Sequence, residues 1–149
     1  MSTFGFRRPE SVLVVVCTAG GEVLLLERAR PAGWWQSVTG SLDEAETPAE
    51  AAARELGEET GLVARGLEDL CLQARFPIHP DWRHRYAPGV SENLEHAFAV
   101  RLPGRRDIRL EDGAHVGFAW LPADEAVARA TSWTDRQAIR HALGMARPG

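Results

Sequence analysis

The stretch TPAEAAARELGEETGL, residues 47–62, decides the fold of this 149-residue chain. Its first four residues can form a capping box, in which the threonine and the glutamate each accept a hydrogen bond from the other's backbone N–H, and Pro48 suits the first helical position. Gly61 suits the left-handed conformation that commonly ends a helix. These signals predict a helix from Pro48 to Thr60.

The predicted helix carries Glu55, Glu58 and Glu59 within two turns. At about 100° per residue, the three carboxylates share an arc of about 100°. Like charges four residues apart cost roughly 0.2–0.5 kcal/mol, and Arg54 offsets only part of this cost. We expect the carboxylates to face outward while a small, mostly apolar arc packs against a sheet. That arc consists of Ala49, Ala53, Leu56 and Thr60.

Two interpretations fit this acidic helix. The carboxylates can simply be solvated, which is the usual state of a glutamate-rich helix, or they can bind a cation. A hard divalent cation such as Mg²⁺ prefers oxygen ligands, uses few protein carboxylates and completes its shell with water and substrate phosphates. A glycine loop before the helix would let the backbone approach such an ion. The clustering favours a metal site that holds a polyphosphate.

The rest of the chain predicts an α/β fold. Two β-rich runs, 11–18 and 22–28, flank a glycine turn and predict a hairpin. The run 94–102 alternates as a strand with one buried face, and Thr134 begins a second capping box. Further strands are predicted over 34–40 and 115–121, with one or two between 63 and 78, and further helices over 122–130 and 134–143.

Composition limits the classes of function. The formal charge is −4 without a basic block, which favours neither nucleic acid nor a membrane surface as partner. The length and the 44% hydrophobic content predict a single domain over 1–149. The longest apolar run is too short to cross a bilayer and the start lacks a signal-peptide core, so we expect a soluble, cytoplasmic protein. Cys17 and Cys71 are expected to be reduced core residues.

Gly40, Glu46 and the run RELGEETGL (54–62) have the spacing of the Nudix box, so the chain resembles the Nudix hydrolase family. The resemblance implies an α/β/α sandwich around a mixed sheet. It also implies hydrolysis of a diphosphate linked to another group, with Mg²⁺ or Mn²⁺ as cofactor.

The resemblance also implies roles for the residues of the box. Glu55 and Glu59 match the main metal ligands, Glu58 matches a residue that often joins them, and Gly40 can lend its carbonyl to the metal. Arg54 matches the arginine that orients the acidic cluster. For the general base, Glu58 is the first candidate and Glu46 the second.

Segments outside the box resemble a bacterial subgroup of the family that acts on dihydroneopterin triphosphate in folate biosynthesis. They are RRPESVLVVV (7–16), WWQSVTGS (34–41), RHRYAPGV (83–90) and SWTDRQAI (132–139). The resemblance implies conversion of 7,8-dihydroneopterin triphosphate to dihydroneopterin monophosphate and pyrophosphate. It implies substrate contacts from Arg7, Arg28, Thr39 and Ser132, to which Arg85 and Tyr86 can add charge and an aromatic face.

One position departs from the subgroup. A glutamate that supplies a further metal ligand usually precedes the histidine that matches His115, but this chain has Ala114 there. Either Glu111 or Asp112 reaches in from the preceding loop, or the site uses fewer protein ligands.

Other functions remain open at this stage. The box alone also fits a broader nucleoside-triphosphate or dinucleotide-polyphosphate hydrolase, and a non-catalytic nucleotide- or pterin-binding protein on the same fold. The expected partner is a small-molecule triphosphate, and the chain can be a monomer or a homodimer. Trp34, Trp35 and Trp133 are expected to pack in the interior rather than to stack on a ring.

Overall fold

The computed structural model describes residues 5–146 of the chain. Its strands, α-helices and one 3₁₀ helix follow one another along the chain, and residues 103–114 form an irregular segment before the last strand. In chain order they are β1 (Glu10–Thr18), β2 (Glu22–Arg28), β3 (Trp35–Gln36), β4 (Val38–Ser41), α1 (Pro48–Thr60), β5 (Glu68–Pro77), the 3₁₀ helix Pro80–Arg85, β6 (Glu92–Leu102), β7 (His115–Pro122), α2 (Ala123–Arg129) and α3 (Trp133–Ala142).

The strands form one mixed sheet with β1 near its centre. β1 pairs in parallel with β6 and antiparallel with β2 and with β4. β5 extends the sheet beyond β6, while β3 and β7 both pair with β2. A parallel pair needs a long crossover, and the chain between β1 and β6 supplies it with β2 to β5 and α1. The predicted hairpin, the predicted strand 115–121 and the mixed sheet are confirmed.

Helices cover both faces of this sheet. α1 packs on one face through Leu56, against side chains such as Val12 and Val14. α2 and α3 pack on the other face, where Ile139 meets side chains such as Leu13. Because successive side chains of a strand point to opposite faces, β1 contributes to both cores. The predicted α/β/α sandwich is therefore confirmed, and the single-domain organisation over 1–149 stays a prediction.

The ends of α1 match the prediction. The Thr47 side chain accepts a hydrogen bond from the Glu50 backbone, the Glu50 carboxylate accepts one from the Thr47 backbone at 3.0 Å, and Gly61 has φ 77°. The predicted packing arc is wrong, because Ala49 and Ala53 are exposed. The buried residues of α1 are Ala51, Ala52, Leu56, Glu59 and Thr60. The helix is thus turned so that Glu59 faces the protein.

Two further strand predictions are corrected. β6 is buried on both faces, since it lies between β1 and β5 with helices above and below, so the prediction of one buried face was wrong. The run predicted as one strand over 34–40 is divided into β3 and β4, because Ser37 between them bonds to Asp135 of α3.

The last helix and one cysteine also differ from expectation. Ser132, and not Thr134, caps α3 by accepting a hydrogen bond from the Asp135 backbone at 3.2 Å, so the second capping box was wrong. Cys17 is a buried free thiol as predicted, whereas Cys71 is exposed at an irregular register between β5 and β6.

Within residues 5–146, no helix is both long enough and apolar enough to cross a membrane.

Removing the cap of α1 tests how much the first turn contributes to stability. Thr47→Ala leaves the Glu50 backbone N–H without its side-chain acceptor, and we expect the free energy of unfolding to fall by about 0.5–2 kcal/mol. Equilibrium urea unfolding measures this loss. Thr47→Ser retains the hydroxyl and serves as the control; an equal loss in both variants would mean that the cap hydrogen bond is not the cause.

Candidate active site

A broad cleft opens at the sheet edge where β4 ends and α3 begins. Its walls come from the first described residues, β4, α1, the 3₁₀ helix, the loop before β7 and the start of α3. The predicted site residues that line it are Arg7, Arg28, Thr39, Gly40, Arg54, Glu55, Glu59, Arg85, Tyr86 and Ser132. The fold thus brings together residues that are up to 125 positions apart in the sequence.

Gly40 lets α1 approach β4 closely. A Cβ added at Gly40 would overlap the carboxyl group of Glu55. The glycine therefore leaves the space in which this carboxyl group stands against the backbone of the strand. Only the absence of a side chain permits that approach, so the fold requires glycine here for space rather than for an unusual backbone angle.

The partly buried Glu55 and the buried Glu59 form an acidic pair at the bottom of this approach. Glu59 is 3% exposed, and its Oε1 has no hydrogen-bond partner among the described residues. Burial raises the pKa of Glu59, and the neighbouring carboxyl groups of Glu55 and Glu111 raise it further. Burial likewise raises the pKa of Glu55. The surroundings of the pair do not fully offset its negative charge. Burying carboxylates is costly unless a cation or hydrogen-bond donors face them.

Arg54 ties the acidic residues of the box to the backbone. Its Nε and Nη2 donate to the two carboxylate oxygens of Glu46 at 2.8 and 2.9 Å, and its Nη1 donates to Glu55 at 2.8 Å. Nη2 also donates to the Ser41 carbonyl at 3.0 Å. Such a bidentate pair is geometrically specific as well as strong. The guanidinium holds the pKa of Glu46 at about 2, so that carboxylate stays ionised and engaged.

Glu58, like the second candidate base Glu46, does not line the cleft. Its side chain is 47% exposed and lies 3.4 Å from Arg54, four residues earlier on α1. Its neighbour Glu59 occupies the position that faces the protein. Glu58 thus lies outside the cleft, although it shares the Nη1 of Arg54 with Glu55. The expected roles of Glu58 as metal ligand and general base stay predictions.

Arginines line the cleft beside the acidic pair. The backbone N–H of Arg7 donates to the Arg85 carbonyl at 2.7 Å, which joins the first described segment to the end of the 3₁₀ helix. The guanidinium of Arg28 lies 5.8 Å from the ring centre of Trp82 in that helix. Arginines with planar guanidinium groups suit phosphate recognition. The arginines that line the cleft are Arg7, Arg8, Arg28, Arg30, Arg54, Arg83 and Arg85.

The loop before β7 contains both candidate replacements for the glutamate that is absent at Ala114. Ala114 lines the cleft, and so does Glu111, whereas Asp112 does not. The charge of Glu111 contributes to the raised pKa of Glu59, so the two carboxyl groups interact across the cleft. Of the two replacements that the sequence leaves open, the structure places only Glu111 in the cleft.

Sequence reasoning missed His115 as a site residue. Its Nε2 lies 3.5 Å from the Oε1 of Glu59, and burial, with Arg28 nearby, lowers its pKa, so the neutral ring faces the carboxyl group. The signal in the sequence was that His115 directly follows Ala114, the position where the subgroup has a metal-binding glutamate.

Asn93, Glu95 and Asp135 were missed as well, although all three are buried and line the cleft. Asn93 and Glu95 gave no signal, because polar residues that alternate along a strand look the same as a solvent-facing side.

The tryptophans divide between packing and exposure. Trp35 packs against the core below α2 and α3, with the Arg129 guanidinium 5.1 Å from its ring centre. Trp133 is 50% exposed at the cleft, so the expectation that it packs in the interior was wrong. It precedes Thr134 and Asp135, which take the buried positions of the first turn of α3.

The donors of the acidic pair fit a hard divalent cation. Within residues 5–146, no three acidic, histidine or cysteine side chains already form a metal-binding group. Oxygen donors nevertheless stand where they could bind one side of a cation. They are the unpartnered Oε1 of Glu59, the adjoining Glu55 carboxyl group and the backbone of Gly40, which carries no side chain. Mg²⁺ sites are commonly of this kind, with water and phosphate on the other side.

Comparison with known protein families decides the classification. The NUDIX domain matches residues 7–142. The chain belongs to the Nudix family. The predicted resemblance is confirmed, and with it a fold whose hydrolases generally need a divalent metal ion and act on small-molecule phosphate compounds.

Relatives within the Nudix family cover nearly the whole chain. The dihydroneopterin triphosphate diphosphatase of Escherichia coli K12 is 42% identical over 139 residues, which are 90% of this chain and 91% of that protein. The enzyme of the same name from Haemophilus influenzae is 34% identical over 143 residues, covering 93% and 89%. The solved structure of the E. coli dihydroneopterin triphosphate pyrophosphohydrolase has a TM-score of 0.85 at 40% identity and covers 93% of this chain and 97% of that one.

Filling the space at Gly40 tests whether it shapes a metal site. Gly40→Ala adds a Cβ that displaces the flexible Glu55 carboxyl group, so we expect Mn²⁺ affinity, measured by calorimetry, to fall at least about tenfold. Gly104→Ala is the matched control, since a Cβ there meets no atom within 4 Å. Unchanged Mn²⁺ affinity in Gly40→Ala, with thermal unfolding like that of the control, would contradict the prediction.

Proposed function

We propose that this protein is a Mg²⁺-dependent diphosphatase that converts 7,8-dihydroneopterin triphosphate to dihydroneopterin monophosphate and pyrophosphate. The observation that carries the proposal is a single cleft containing the acidic pair of the Nudix box and all six predicted substrate residues. The names of relatives that match about nine-tenths of the chain support the same substrate.

The acidic pair and the strand beside it are the proposed metal site. Glu55, Glu59 and the Gly40 carbonyl hold the cation, with Glu111 in the place left by Ala114. When bound, a divalent cation supplies a Lewis acid that activates water and offsets phosphate charge. Arg54 keeps Glu55 in position through the 2.8 Å hydrogen bond, and its bond to the Ser41 carbonyl fixes the guanidinium itself.

The arginines of the cleft are the proposed phosphate-binding groups. Arg7 and Arg85 lie side by side through their backbone hydrogen bond, and Arg28 extends from the end of β2. Their guanidinium groups can donate to the non-bridging oxygens and hold the triphosphate against the acidic pair. Donors placed where charge accumulates on the departing pyrophosphate favour the transition state over the ground state. Thr39, next to Gly40 in β4, and Ser132, at the start of α3, add hydroxyl groups to the cleft.

The general base is proposed among the carboxylates of the box. Both oxygens of Glu46 already accept hydrogen bonds from Arg54, and one also accepts the Asp43 backbone N–H at 2.8 Å, so Glu46 has little capacity to take a proton. Glu58 is exposed and free to rotate toward a bound substrate, but it begins outside the cleft. We therefore expect the loss of the Glu58 carboxylate to lower kcat less than the loss of the Glu59 carboxylate.

The substrate assignment is tested with purified protein, Mg²⁺ and 7,8-dihydroneopterin triphosphate. We expect release of pyrophosphate, detected by an enzyme-coupled assay, with a higher kcat/KM than for ATP or a diadenosine polyphosphate. Release of orthophosphate alone, or faster turnover of the adenine nucleotides, would overturn the assignment and favour a broader Nudix hydrolase. Tight binding without turnover would identify a binding protein.

The variant Glu59→Gln removes a proposed ligand from this reaction and keeps a polar side chain of the same size. We expect kcat to fall more than roughly 100-fold, since the loss of a ligand costs more than the loss of an outer-shell partner. The matched variant Glu58→Gln, one residue away, should lose clearly less. Equal losses would place Glu58 beside Glu59 in the chemistry, and full activity of Glu59→Gln would refute the metal assignment.

The loop before β7 offers a second matched pair. Glu111→Gln should weaken Mn²⁺ binding, measured by calorimetry or by electron paramagnetic resonance, roughly tenfold or more if its carboxylate replaces the ligand absent at Ala114. Asp112→Asn makes the same change of charge one residue further on, outside the cleft, and should leave Mn²⁺ affinity unchanged. Wild-type affinity in Glu111→Gln would mean that the site uses fewer protein ligands.

A further inference from the structure

A buried polar floor lies in the cleft, on the face of the sheet opposite α1. Asn93 and Glu95 stand two residues apart on β6, so both side chains point to the same face. They are 5% and 7% exposed, and both line the cleft. Asn93 and Glu95 are called the floor pair below.

The floor pair has hydrogen-bond capacity that the protein leaves unused. The Nδ2 of Asn93 donates to the Ser11 hydroxyl at 2.7 Å, while its Oδ1 has no partner among the described residues. A buried acceptor without a partner is unfavourable, so each such atom in a native structure calls for an explanation, such as a bound ligand.

No basic side chain of residues 5–146 forms an ion pair with the carboxyl group of Glu95. Burial and then the charge of Asp135 raise its pKa to about 7, against a hydrogen bond from the Thr134 side chain that lowers it. Asp135 is different, because its two oxygens accept from the backbone and hydroxyl of Ser37 at 2.6 and 2.7 Å. The floor therefore offers the Oδ1 of Asn93, which has no partner among the described residues, and the carboxyl group of Glu95, which bonds to Thr134 but to no basic side chain of that part of the chain.

Strand register relates the floor pair to the proposed metal site. Glu95 is beside Ser11 in β1, and Ser11 is beside Ser41 in β4, next to Gly40. Neighbouring strands are about 4.8 Å apart, so Glu95 and Ser41 stand roughly 10 Å apart across the sheet. A ligand that places its phosphates at Gly40 can place a ring over the floor pair.

We propose that Asn93 and Glu95 select the ring of the substrate by accepting hydrogen bonds from adjacent N–H donors on one edge. This proposal rests on the proposed function, and it names the determinant of substrate class within the same cleft. The edge that fits is that of a 2-amino-4-oxopyrimidine, in which an exocyclic amino group adjoins a ring N–H. Pterins and guanine share this edge.

Adenine presents a different pattern. Its amino group adjoins a ring nitrogen that accepts hydrogen bonds, and that nitrogen would face the acceptors of the floor pair. A site built to accept from a donor discriminates strongly against a ligand that lacks it, because the buried acceptor stays unpaired. The floor pair thus favours pterin and guanine triphosphates over ATP.

Equilibrium binding separates this proposal from catalysis. Calorimetric titrations with GTP, ATP and 7,8-dihydroneopterin are made in EDTA, so that no metal-dependent turnover occurs. GTP and ATP carry the same triphosphate and differ in the ring. We expect the wild-type protein to bind GTP more tightly than ATP and to bind dihydroneopterin measurably.

Glu95→Gln keeps the size of the side chain but replaces one acceptor with a donor. Affinity for GTP and dihydroneopterin should fall roughly tenfold to a hundredfold, as for a lost hydrogen bond to a charged group, while ATP affinity stays nearly constant. Glu92→Gln, an exposed glutamate three residues earlier on β6, is the matched control and should bind like the wild type. Thermal unfolding of each variant is measured in parallel.

Asn93→Ala provides an independent reading if Glu95→Gln is too unstable to titrate, and it should weaken GTP relative to ATP in the same direction. Equal affinity of the wild-type protein for GTP and ATP, undetectable binding of both GTP and dihydroneopterin, or an equal loss for GTP and ATP in the variants would overturn the proposal. Absence of pyrophosphate release from dihydroneopterin triphosphate would refute the proposed function alone, since the binding comparison needs no turnover.

Discussion

The close approach of Glu55 to the backbone of Gly40 is the constraint on which the cleft depends. It requires a position without a side chain in β4, and it sets the rotation of α1 about its own axis. That rotation buries Glu59 and leaves Ala49 and Ala53 in solvent, although their small apolar side chains suit a packed face. Arg54 then completes the arrangement, since one guanidinium joins Glu46, Glu55 and the Ser41 carbonyl.

Acidic and basic side chains both line the cleft. Carboxyl groups stand on the α1 side, and arginines from the first described segment, β2 and the 3₁₀ helix stand around them. A buried carboxyl group such as that of Glu59 is unfavourable without a cation. In the proposed function, a bound metal ion would offset this charge, and the phosphates of the substrate would meet the arginines. Ala114 stands where the subgroup has a glutamate, and Glu111 places a carboxylate in the same cleft.

Local signals in the sequence correctly predicted the features that depend only on neighbouring residues. The ends of α1, the β1–β2 hairpin and the strand β7 follow from capping residues, glycine turns and alternation, all of which act over a few residues. The Nudix box named most of the acidic cluster for the same reason, since its residues are close in the chain. The prediction of one strand over 34–40 failed because a distant partner decides it, since Ser37 interrupts the strand by bonding to Asp135. The cap of α3 was misplaced locally, on Thr134 instead of Ser132 two residues earlier.

By itself, the sequence determined the fold class, the family and the residues of the box, because these are encoded in spacing along one helix and its flanking loop. Only the tertiary structure decided which glutamates face the cleft, that Glu111 rather than Asp112 enters it, and that Asn93 and Glu95 form its floor. The physical reason is that burial belongs to the assembled layers: a polar residue on a strand looks the same in sequence whether water or a second helix layer covers it.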